Sequence, residues 1–201
     1  MCIGEAPGAN EDKQGRPFVG NAGQFLEELL GAAGLARSEV YICNVLKCRP
    51  PGNRDPMPGE IQACEDYLDE QITLIDPLVI VTLGRFSMSR FFPRQTISRI
   101  HGQPQEIGGR AVVPMYHPAA ALHQQSLRTV LLEDFGRLPA VLERARARQA
   151  GPETQPAVRF TAEPHPPPPA PEPAALAVAR EAPASPAAVP PHQTEQQRLF
   201  D

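Results

Sequence analysis

Four short apolar runs alternating with helix-patterned segments predict an α/β fold, a three-layer α/β/α sandwich around a central four-stranded parallel sheet. The runs fall at residues 1–4, 40–45 (VYICNV), 78–83 (LVIVTL) and 111–116. They are apolar nearly throughout rather than alternating, as strands covered on both faces are. A composition shift adds the domain plan. Residues 151–201 hold 13 of the 25 prolines and 11 alanines, with almost no aliphatic periodicity. Such a segment cannot bury enough apolar surface to offset its ordering entropy. The chain therefore reads as one folded domain, residues 1–148, and a disordered Pro/Ala-rich tail, 149–201.

In chain order, residues 1–4 are a buried strand feeding a loop dense in Gly, Pro, Asn and acidic residues, GEAPGANEDKQGRPFVGNAG. A domain that starts inside its central strand is expected to have lost an N-terminal piece. Residues 21–33 read as a helix, with Phe25, Leu26, Leu29 and Leu30 on one face and Gly34 as its stop. The second strand ends at Asn44. A stiff loop with four prolines follows, and Pro58 or Gly59 opens a helix carrying Ile61, Cys64, Tyr67, Leu68 and Ile72. After the third strand, Gly84 turns the chain into a short helix around 86–92. Residues 97–109 read as loop and ribbon. The fourth strand delivers His117-Pro118, and a closing helix over 126–148 is interrupted by Pro139.

Charge is unevenly placed. The net charge is −4, yet residues 1–150 carry 16 basic against 17 acidic residues, so the folded part is near neutral. General polyanion binding gains nothing from this balance. No stretch reaches the ~18 apolar residues of a membrane helix and no signal peptide is recognisable, so a cytoplasmic location is expected. Four cysteines, Cys2, Cys43, Cys48 and Cys64, point in that setting to metal chemistry or burial before disulfides.

Loops after strands one, two and four of a parallel sheet open on the same edge, where ligands of open α/β sheets collect. That gathers Glu5, Glu11, Asp12 and Phe18 with Asn44 and His117. Together they suit a planar heterocycle. Phe18 can stack on it, Asn44 offers a donor and an acceptor to an imide edge, and His117 can hydrogen-bond a ring carbonyl. An unrelated nucleotide-binding protein with GEAPG as its phosphate loop would need a Lys or a Gly-rich helix start, and the first helix has neither.

The segments GEAPGANED, QGRPFVG, NVLKCRPPGNRDP, an AC-x-x-YL helix and HPAAAL occur in this order. As a set they resemble the uracil-DNA glycosylases, most closely family 4, the iron–sulfur type of bacteria and archaea, over about residues 1–145. The resemblance implies hydrolysis of the N-glycosidic bond of uracil in DNA, the first step of base-excision repair. It implies that Glu5, Ala6 and Phe18 line the uracil pocket, that Asn44 reads the uracil edge, and that His117 holds uracil O2 as the anion departs. The motif's third position, an aspartate that activates water in the best-known glycosylases, is Ala6 here. The catalytic set is therefore expected to be His117, Glu11 and Glu5, with Glu11, or charge supplied by the DNA phosphates, sharing the water-activating role. Residues 118–122 resemble the loop that enters the DNA minor groove, with Pro118 and Leu122 at the DNA and Leu122 as wedge. A truncated paralogue that binds DNA or a nucleobase without catalysis would share these motifs.

The resemblance also implies a [4Fe-4S] cluster with Cys48 and Cys64 as two of its four ligands. The other two belong to an upstream C-x-x-C that this sequence does not contain, and Cys2 and Cys43 read as buried small hydrophobes. His123 stands where the family often has Arg, and His101 reads as a loop residue rather than a nucleophile. The tail ends in Gln196-Gln197-Arg198-Leu199-Phe200-Asp201, which resembles the peptide that docks on the bacterial sliding clamp through Gln196, Leu199 and Phe200. The enzyme is expected to be a monomer acting on uracil-containing DNA.

Overall fold

The computed structural model describes residues 1–150. The expected tail beyond them, with Gln196, Leu199 and Phe200, lies outside the described residues. In chain order the strands are β1 (Cys2–Gly4), β2 (Ile42–Asn44), β3 (Val79–Leu83), β4 (Gln105–Ile107) and β5 (Arg110–Met115). They form one sheet in the order β2-β1-β3-β5-β4, parallel except for the antiparallel β4–β5 pair.

The expected four-stranded sheet thus gains a fifth strand. Gln105 and Glu106 are exposed, so no apolar pattern announces β4. The turn does: Gly108 and Gly109 both take positive φ, 58° and 77°, as a two-residue hairpin loop matching the strand twist requires.

Because side chains alternate across a strand, each strand feeds two cores. Val79, Val81 and Leu83 join Val113 and Met115 on one face. They pack against helix α2 (Asn21–Ala32) through Phe25, Leu26 and Leu29, and against α7 (Gln125–Gly136) and α8 (Leu138–Gln149) through Leu131, Phe135 and Val141. Ile3, Ile80 and Val112 face the other way, onto α3 (Pro58–Ile75), α4 (Arg85–Phe91) and α5 (Ile97–Ile100) through Leu68, Met88 and Ile100. Each fully buried Leu or Phe contributes roughly 1.5–3 kcal/mol. The three layers are those the sequence predicts.

Pro139 sits in the first turn of α8, where its missing N–H costs nothing, so the closing segment is two helices. Cys2 and Cys43 are buried, and burial pushes both thiols up to about 11. They are small core hydrophobes, as expected. His101 is tied down: its Nδ1 lies 2.7 Å from the buried Asp134 carboxylate and its ring meets Tyr116. Among the described residues no helix is long and apolar enough to cross a membrane.

Strand order reverses at β1, since the chain places β2 on one side of it and β3 on the other. The crevice at such a reversal is where this class of sheet binds ligands. The loop leaving β1 fills it, and it contains a helical turn, α1 (Ala9–Gln14), that the Gly/Pro-rich sequence does not signal.

Candidate active site

The end of β1 is open by design of one residue. A Cβ on Gly4 would collide with Asn44 Oδ1 and the Phe18 ring, so only glycine lets these two groups meet over the strand end. Backbone bonds continue the β1–β2 pairing past Gly4, with Val45 N–H donating to Gly4 O (3.0 Å) and Leu46 N–H to Glu5 O (2.9 Å). Asn44 therefore stands on rigid sheet, not on loop.

Asn44 is only 6% exposed, and its Oδ1 has no hydrogen-bond partner. A buried polar atom left unpaired costs about 1–3 kcal/mol, so its presence asks for a ligand. Lys47 holds the residue from behind, donating through Nζ to Asn44 O and to Gln71 Oε1, both at 2.7 Å.

Phe18 is equally buried and lies against His117, ring centroids 5.6 Å apart and 26° from coplanar. Its φ is +53°, a left-handed conformation that costs a non-glycine residue roughly 1–3 kcal/mol. The surroundings enforce it. Glu11 Oε1 accepts from Val19 N–H (2.9 Å) and Gly20 N–H (2.8 Å), and Arg37 donates to Phe18 O (3.0 Å) and Pro17 O (2.6 Å). Gly23 of α2 passes so close that a Cβ there would overlap Phe18 O.

His117 follows the end of β5 by two residues and caps α6 (Pro118–His123). Its Nδ1 accepts from Ala119 N–H at 3.1 Å, so the neutral ring carries its proton on Nε2. Burial lowers the imidazole to about 4, which keeps it neutral at physiological pH. Gly84, at φ +91°, brings the end of β3 against this ring. These groups line one cavity of about 300 Å³ that also takes in Glu5, Ala6, Glu11, Arg54 and Ala119. A second cavity of about 330 Å³, behind Asn44 and lined by Tyr41, Lys47 and Gln71, contains neither Phe18 nor His117.

The carboxylates divide. Glu5 is half-buried at the cavity wall, and desolvation, then the nearby Asp55, raises it while Arg85 opposes. Burial pushes Glu11 up as well, but N–H groups of Gly20, Glu11, Val19 and Gly8 outweigh that and hold it low. A carboxylate so engaged is held in its ionised form.

The family model of the uracil DNA glycosylase superfamily matches residues 1–136. The chain belongs to that superfamily. It is 48% identical over 151 residues to a type-4 uracil-DNA glycosylase of Sulfurisphaera tokodaii, covering 69% of this chain and 67% of that protein. A type-4 uracil-DNA glycosylase of Thermotoga maritima is 46% identical over 149 residues, 72% of this chain and 78% of the relative. A type-5 uracil-DNA glycosylase of Pyrobaculum aerophilum is more distant, at 30% identity over 59% of this chain.

In this glycosylase fold, Glu5, Ala6, Phe18, Asn44 and His117 converge on one cavity, and Glu11 reaches it while gripping the loop. The DNA-facing pair separates. Leu122 is 47% exposed on α6, whereas Pro118 is buried at the helix start. Pro118 therefore shapes the helix, and of the two only Leu122 is presented to solvent. The residues 118–122 are helix, not loop.

The cysteines expected at a cluster do not assemble one. Cys48 is exposed, and Cys64 is partly covered with its Sγ accepting from Lys47 N–H at 3.4 Å. Among the described residues no group of three or more His, Cys, Asp or Glu side chains could hold a metal ion. Two thiols do not fit a four-thiolate cluster.

Arg37 and Lys47 escaped the sequence reading. Both act on backbone carbonyls, which leave no trace in residue spacing. The one signal was rarity, since Lys47 is one of two lysines among the first 150 residues.

Proposed function

We propose that this chain removes uracil from DNA by hydrolysing its N-glycosidic bond, the opening step of base-excision repair. The observation that carries this reading is the buried, unpartnered Asn44 Oδ1 beside the Phe18 ring and His117. A flat ligand with an N–H edge would satisfy that acceptor while stacking on Phe18, as uracil can through N3–H.

Base extrusion costs a few kcal/mol, least at a mispair, and Leu122 fills the vacated stack. With uracil seated, His117 Nε2–H donates to O2. As the bond to the sugar breaks, its electron pair passes to uracil N1 and spreads onto O2. The neutral donor gains strength as that charge grows, which is stabilisation specific to the transition state. With an imidazole pKa of about 4, the ring donates a hydrogen bond without giving up its proton. Water then adds to the oxocarbenium-like sugar carbon, yielding an abasic site and, after proton transfer to the anion, free uracil. Glu5, at the wall with a raised pKa, orients that water. Glu11 serves the site by holding Phe18.

Docking of the tail on the sliding clamp through Gln196, Leu199 and Phe200 is part of the same proposal. It would raise the local enzyme concentration at new DNA. The test of function is uracil release from a labelled single-uracil oligonucleotide, with Asn44→Ala as control. Release by the native chain and its loss in the variant are expected. Tight binding without release would leave the chain a DNA- or nucleobase-binding module.

A further inference from the structure

Arg37 lies outside the cavity, on a 3-10 turn (Arg37–Glu39) leading into β2, yet its guanidinium is largely covered. Its Nη2 donates to Pro17 O at 2.6 Å, and its Nη1 donates to Phe18 O at 3.0 Å and to Glu27 Oε1 at 3.3 Å. The two carbonyls belong to consecutive residues, one of which is held at φ +53°. A left-handed phenylalanine relaxes unless its peptide planes are fixed on both sides. Glu11 fixes the planes after Phe18 through Val19 N–H and Gly20 N–H. On the preceding side the guanidinium is the group that does so, and its planar fork spans two acceptors that a point charge could not bridge.

We propose that Arg37 is a positioning residue for uracil recognition. By clamping the Pro17 and Phe18 carbonyls it holds the Phe18 ring at the angle and height the flipped base requires. The assignment rests on the uracil-glycosylase reading for its meaning, but not for its mechanics. Glu27 on α2 accepts from the same Nη1, so the clamp ties the stacking ring to α2 and to the turn leading into the strand that carries Asn44. A ring displaced by about 1 Å would cost on the order of 10²-fold in turnover.

The test is a cycle of Arg37→Ala, Phe18→Ala and the double variant, read as kcat and KM on a single-uracil oligonucleotide. Arg37→Ala should lower kcat/KM by about 10²-fold. In the Phe18→Ala background the same change should cost under about threefold, because the ring it served is gone. Equal losses in both backgrounds, or none in either, would overturn the proposal. Arg37→Lys keeps the charge but not the fork and should resemble Arg37→Ala; native activity in it would also overturn the clamp. Hydrogen exchange of the Val19 and Gly20 amides supplies a readout independent of turnover. Exchange should quicken about tenfold or more in Arg37→Ala, and unchanged exchange would reject the clamp even if the native chain released no uracil.

Discussion

Two loops flank the cavity, and they are built on opposite plans. The loop after β1 is held from within. Glu11 takes two N–H groups, Arg37 takes two carbonyls, and Gly4 and Gly23 let Asn44 and α2 press directly on Phe18. The loop after β2, rich in proline, is held at its surface. Arg54 forms a two-pronged pair with Glu60, which also caps Met57 N–H, Arg85 pairs with Asp55, and Cys48 and Met57 stand exposed. Surface ion pairs in water contribute little, whereas the half-buried Glu11 and Arg37 hold the strained backbone at Phe18 through its own amides and carbonyls. The loop that carries Phe18 is thus held by more bonds to its own backbone than the cysteine-bearing loop.

Four substitutions break or sharpen this contrast, from large effect to small. His117→Ala removes the proposed donor to uracil O2, and kcat should fall roughly 10²–10³-fold while binding to a uracil-containing oligonucleotide persists. Single-turnover kinetics with a parallel binding titration would check it. Gly23→Ala forces a methyl group into Phe18 O and should lose on the order of 2–3 kcal/mol of stability, seen as a lower melting temperature. Glu11→Gln keeps the shape but drops the charge that strengthens the Val19 and Gly20 bonds. It should lower kcat/KM about tenfold, with no shift in the pH profile if Glu11 serves the site by holding the loop as proposed. At the other loop, Glu60→Gln should leave turnover unchanged and lower the melting temperature only slightly, less still in high salt.

The pH dependence has a fixed sign. His117 titrates near 4 in the folded chain, below the ~6.5 of a free imidazole. As pH falls the unfolded chain takes the proton first, so this group's contribution to stability declines between about 6.5 and 4 and is level beyond. Activity lost through its protonation should appear near pH 4, where the bond from Ala119 N–H to Nδ1 must break. Proton NMR of the His117 ring would give the midpoint directly.

Much of this was legible in the sequence, and the remainder was hidden for physical reasons. Runs such as LVIVTL announce strands covered on both faces, and the rule that parallel loops share an edge brings Phe18, Asn44 and His117 together from the sequence alone. β4 was missed because an edge strand with exposed Gln105 and Glu106 has no apolar signature; the adjacent Gly108-Gly109 was the readable clue. Pro118 was assigned to DNA from the motif around it, while its burial depends on how α6 packs. The holding role of Glu11 was hidden because its partners are backbone amides eight and nine residues away.

The most direct test of the account is the fate of uracil in a labelled oligonucleotide incubated with the native chain and with Asn44→Ala. Free uracil and an abasic site from the native chain, no attack on the thymine-containing control, and loss of release in the variant are predicted. Binding of the uracil strand by both proteins with no base released by either would contradict it.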